Sequence, residues 1–62
     1  MKLKQYRIKN HLSVIQLANI LELSRQHIYD MEREKVYPSR QLALEIEDKL
    51  KGEVTARELL NI

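Results

Sequence analysis

The architecture of this chain turns on residues 12–32, which read Leu12-Ser13-Val14-Ile15-Gln16-Leu17-Ala18-Asn19-Ile20-Leu21-Glu22-Leu23-Ser24-Arg25-Gln26-His27-Ile28-Tyr29-Asp30-Met31-Glu32. Ser13 is a candidate N-cap for a helix over 14–21. Leu17, Ala18 and Leu21 form its inward side, with Ile15 and Ile20 in support. Glu22-Leu23 is a tight break. Ser24 then caps a second helix from Arg25 to about Arg33, with Ile28, Met31 and Glu32 facing inward. The small Ala18 permits close approach of another helix, and Leu23 in the turn can plug the space between the two.

The flanks read as further helices. Leu3 to Lys9 places Leu3, Tyr6 and Arg7 on one face, and Asn10-His11 tolerates the left-handed backbone of a break. Glu34 to Pro38 is a loop, because Pro38 disfavours helix at Tyr37. Ser39 caps a helix running to about Leu50 or Lys51, with Leu42, Ala43, Ile46 and Leu50 inward and Gly52 as its stop. Thr55-Ala56-Arg57-Glu58 is a capping box that opens a last turn through Leu59 and Leu60. The chain therefore reads as an all-α, five-helix bundle forming one domain over 1–62, with a tail over 52–62.

Composition narrows the function. At 62 residues the chain buries only about 60% of its unfolded surface, which leaves no room for a deep catalytic cleft. Cysteine is absent, so disulfides, thiolate nucleophiles and Cys zinc sites are excluded. His11 and His27 have no other suitably spaced ligand, so no metal is expected, and no cofactor or small-molecule ligand either. Ser13, Ser24 and Ser39 sit at helix starts, where capping explains them, so enzymatic activity is not expected. Met1-Lys2-Leu3-Lys4 is followed by no apolar run, so neither a signal peptide nor a membrane span is expected, and the cytoplasm is the default compartment. Residues 1–40 carry eight Lys/Arg against four Asp/Glu, whereas 41–62 carry three against five. A polyanion should therefore meet the first two-thirds of the chain.

Two short helices over about 14–33 with a break of this length form a helix-turn-helix, or else an ordinary corner in a small bundle. In the first case the second helix can enter a DNA major groove by its N-terminus. The stretch resembles the Cro/phage-repressor type of helix-turn-helix, also called the xenobiotic-response-element type. The resemblance rests on Leu12, Ser13, Leu17, Ala18, Leu21, Ser24, Ile28, Glu32, Pro38 and Ser39, and with the flanking helices it covers nearly the whole chain. It implies a lambda-repressor-like fold and a bacterial or phage, nucleoid-associated protein. Val14 departs from the family, which usually has Gln there to brace the recognition helix and contact a phosphate. His11, Glu22 and Glu34 stand where the family favours Gly, and the last two add negative charge near the expected DNA side.

The resemblance implies roles. Arg25, Gln26, Tyr29 and Asp30 would meet base edges: Arg suits guanine, Gln suits adenine, Tyr a thymine methyl or a phosphate, and Asp the cytosine amino group or the orientation of Arg25. Ser13, His27, Lys35, Tyr37 and Arg40 would contact phosphates. Arg7 and Glu32 fall on inward faces and would form a structural salt bridge. The implied partner is a double-stranded DNA operator, bound by a weak or DNA-assisted homodimer through a seam at Leu60 and Ile62. The implied activity is a sequence-specific transcriptional repressor. An antitoxin-like or adaptor module, using the same helices on a protein, is the alternative.

Overall fold

A computed structural model describes residues 1–60 and contains α1 (Leu3–Lys9), α2 (Val14–Leu21), α3 (Arg25–Glu32), α4 (Arg40–Lys49) and α5 (Ala56–Leu59). No strand occurs among the described residues, so the all-α, five-helix reading holds. Ile62, expected at a dimer seam, lies outside the described residues.

The helices begin where side chains supply acceptors. Ser13, Ser24, Ser39 and Thr55 each accept a hydrogen bond from the backbone N–H three residues on, at 3.1–3.2 Å. Caps of this kind are each worth ~1 kcal/mol. Gln16 and Glu58 reach back to the N–H groups of Ser13 and Thr55, closing two capping boxes.

The first four helices end by one device. His11, Glu22, Glu34 and Lys51 take left-handed backbone, with φ of 55°, 58°, 59° and 55°. The N–H of the following residue then reaches five residues back: Leu12 to Arg7, Leu23 to Ala18, Lys35 to Asp30 and Gly52 to Glu47, at 2.8–2.9 Å. None of the four left-handed residues is glycine, so each carries a steric cost of ~1–2 kcal/mol. The sequence points to Gly52 as the stop of α4. Instead Lys51 takes the first left-handed position, and Gly52 follows with φ 79°.

Leu17, Leu21, Ile28, Ile46, Leu50 and Val54 are fully buried at the centre. Leu3, Val14, Ala18, Met31, Ala43, Ala56 and Leu59 complete the core, and Leu12, Leu23 and Leu42 pack against it. Helix α2 packs mainly on α3, and α4 on α5, while α1 leans on α3. Ile15 and Ile20 do not support this core; they are 52% and 43% exposed. The inward face of α2 is set by Val14, Leu17, Ala18 and Leu21, and the α-helical turn then carries Ile15 and Ile20 outward.

Polar ties hold these helices in place. Arg7 Nε donates to Glu32 Oε2 at 2.7 Å and Nη2 to Oε1 at 3.1 Å, joining α1 to α3. The Glu32 side chain is only 6% exposed, and its hydrogen bond holds the Arg7 guanidinium charged even more firmly than usual. Lys49 donates to the Leu21 carbonyl and to Glu22 Oε2, both at 3.3 Å, and so braces the α2–α3 turn from α4. Glu47 accepts from the Ala56 N–H at 2.6 Å and anchors α5 to α4.

Candidate nucleic-acid interface

Helix α3 buries Ile28 and Met31 and turns Arg25, Gln26 and Tyr29 to solvent. The helical repeat sets Tyr29 one turn beyond Arg25, and Asp30 one turn beyond Gln26. This outward face is the surface a groove would meet. Arg25 and Gln26 occupy its N-terminal end, directly after the Ser24 cap.

Two contacts organise that face. Gln26 Nε2 donates to Asp30 Oδ1 at 3.0 Å. The sequence suggests that Asp30 meets cytosine or orients Arg25; in the structure its carboxylate engages Gln26. The Arg33 guanidinium lies 5.7 Å from the centre of the Tyr29 ring, within cation–π range. Sequence reasoning missed Arg33, although its spacing of four from Tyr29 on a helix is a readable signal.

The expected phosphate contacts occupy varied settings. Ser13 caps α2, and its backbone N–H is taken by Gln16. The N–H groups of Val14 and Ile15, in the first turn, remain directed along the helix axis. Val14 itself is 9% exposed, so its side chain belongs to the core where the family pattern has a polar brace. His27 is half-buried, and its backbone N–H closes the Ser24 cap. Lys35, Tyr37 and Arg40 are exposed, Lys35 and Tyr37 in the loop after α3 and Arg40 at the start of α4.

Neighbouring acids are partly neutralised. Glu22 lies 3.3 Å from Lys49, and Glu34 lies 3.2 Å from Lys2. Among the described residues no cluster of His, Cys, Asp or Glu could hold a metal ion. No helix there is long and apolar enough to cross a membrane.

The family model that matches this chain is a helix-turn-helix, of the Cro/phage-repressor type, over residues 3–59. The chain belongs to that helix-turn-helix family. No curated protein and no solved structure compared with it gives a match. Within the matched span α2 and α3 are short helices joined by Glu22-Leu23-Ser24, and the family is one of DNA-binding, non-enzymatic domains.

Leu60 is half-buried and borders a shallow groove with Arg40, Leu44, Ala56 and Arg57. Leu44, which the sequence reading does not single out, is 53% exposed. Its outward position on α4 follows from the burial of Ala43 and Ile46 beside it.

Proposed function

We propose that the protein is a sequence-specific transcriptional repressor that inserts α3 into the major groove of an operator and excludes polymerase by occupancy. The observation carrying this reading is the solvent-facing row of Arg25, Gln26 and Tyr29 on a helix whose other face is anchored by Ile28 and Met31. Arg25 reads guanine O6 and N7, Gln26 reads adenine, and Tyr29 meets a thymine methyl or a phosphate. Ser13, His27, Lys35, Tyr37 and Arg40 serve the backbone, and the Val14 and Ile15 N–H groups add to Ser13 at the start of α2.

A single recognition helix covers little DNA, so two copies act on half-sites about 34–36 Å apart. Leu60 and Leu44 supply the apolar part of the seam between copies. The seam is small, which favours a dimer formed or completed on DNA.

The test is equilibrium binding to duplex DNA across a salt series. A log K that falls linearly with log salt, and that drops for Arg25→Ala while the fold is kept, supports the reading. Salt-independent binding with no effect of Arg25→Ala overturns it. The second reading, an adaptor or antitoxin-like module, is favoured by one observation: Ile15 and Ile20 expose apolar surface on α2. That reading predicts a protein partner and no steep salt dependence.

A further inference from the structure

The hydrogen bond between Gln26 and Asp30 has a consequence for base choice. A glutamine amide can present its oxygen and nitrogen in either of two orientations, related by a flip. In solution an exposed amide samples both. Here Nε2 donates to Asp30 Oδ1 at 3.0 Å, and a flip would bring Oε1 against that carboxylate oxygen, acceptor facing acceptor. The acceptor is a carboxylate, and charge-assisted bonds of this type are roughly twice as strong as neutral ones. Asp30 is half-buried, and its backbone carbonyl accepts from the Lys35 N–H at 2.9 Å in the turn that ends α3.

We infer that Asp30 is a positioning residue that fixes the Gln26 amide so that Gln26 accepts adenine and rejects guanine. This rests on the proposed reading of Gln26 as a base contact. With one amide hydrogen held by Asp30, Gln26 retains Oε1 as an acceptor and its second N–H as a donor. Adenine offers the complement in the major groove, the N6 amino donor and the N7 acceptor. Guanine offers two acceptors, O6 and N7, and would leave Oε1 facing O6. A freely flipping glutamine could still turn nitrogen toward O6; the locked one cannot. Asp30 thereby acts on specificity without touching a base, and its carboxylate is engaged within the helix instead of being aimed at cytosine.

The test uses duplexes selected from a random pool by the wild-type chain. Loss of preference in Gln26→Ala locates the base pair that Gln26 reads. At that pair, adenine is then exchanged for guanine, and binding of wild type, Asp30→Ala and Asp30→Asn is compared. The wild type prefers adenine by roughly 10- to 100-fold. Asp30→Ala loses most of that preference while keeping the preference at the Arg25 pair. Asp30→Asn, whose amide can accept from Gln26 Nε2 or donate to Oε1, permits both orientations and loses the preference as Asp30→Ala does. A folded Asp30→Ala protein with undiminished adenine preference overturns the inference, and so does undiminished preference in Asp30→Asn. A pool with no enrichment, or no change in Gln26→Ala, removes the base-contact reading itself and this inference with it.

Discussion

Arg7 and Glu32 face each other through two parallel hydrogen bonds, and Arg7 Nη1 also donates to the Leu12 carbonyl at 3.3 Å. One guanidinium thus joins α1, α3 and the segment leading into α2. Glu32 closes the last turn of α3, so the pair fixes the rear of the helix whose front carries Arg25 and Gln26.

Removing one partner leaves the other charge poorly solvated. Arg7→Ala should destabilise the fold by ~3 kcal/mol or more, read as a fall in the urea midpoint. A paired replacement by apolar residues, Arg7→Met with Glu32→Leu, should recover most of that loss. DNA binding by Arg7→Ala would be lost through unfolding, whereas Arg25→Ala should fold normally. An Arg7→Ala protein as stable as wild type would contradict the structural role.

His11 provides a gain-of-stability prediction. It has φ 55° and is exposed. Glycine adopts this backbone without steric cost, against which stands its greater freedom in the unfolded chain. His11→Gly should stabilise by about 1 kcal/mol, raising Tm by about 4–8 °C in a domain this size. Glu22→Gly should gain less, because it also removes the contact to Lys49. A calorimetric scan decides the sign.

Acid titration should expose Glu58. Its Oε1 lies 2.7 Å from the Met1 amino group, which, with bonds from Thr55, holds this carboxylate below its usual range. A carboxylate whose folded pKa is depressed contributes stability that is complete above the unfolded pKa and is lost as pH falls through the folded value. Wild type should therefore lose stability relative to Glu58→Gln as the pH drops below the ordinary carboxylate range. Parallel pH profiles for the two would remove this pair from the account.

Base and phosphate contacts should separate in binding data. Arg25→Ala should cost ~1–3 kcal/mol on a selected site and relax specificity at one position. Lys35→Ala should weaken all sequences alike and reduce the salt slope by about one. The reverse pattern would exchange their roles.

Local chemistry made most of the fold legible. Ser13, Ser24, Ser39 and Thr55 mark the starts of four helices because a cap acts within three residues of itself. The left-handed positions at His11, Glu22 and Glu34 emerged from departures from a family pattern, since the residue types alone do not demand that backbone. Ile15 and Ile20 looked like core because apolar type does not say which side of an eight-residue helix turns inward; packing against α3 and α4 decides it. Lys49 reaching Leu21, 28 positions away, had no local signal at all. In α3, the exposed face followed from periodicity. The partner of Asp30 did not, because both Arg25 and Gln26 lie within reach on a helix, and only the side-chain geometry selects Gln26.

The most direct measurement is selection from a randomised duplex pool at two salt concentrations, with the enriched sequences read out. The account predicts an inverted repeat of two short half-sites about one helical turn apart, with weaker capture at the higher salt. Weak, salt-sensitive binding with no enriched sequence would contradict it, and would mean that the exposed face of α3 does not read bases.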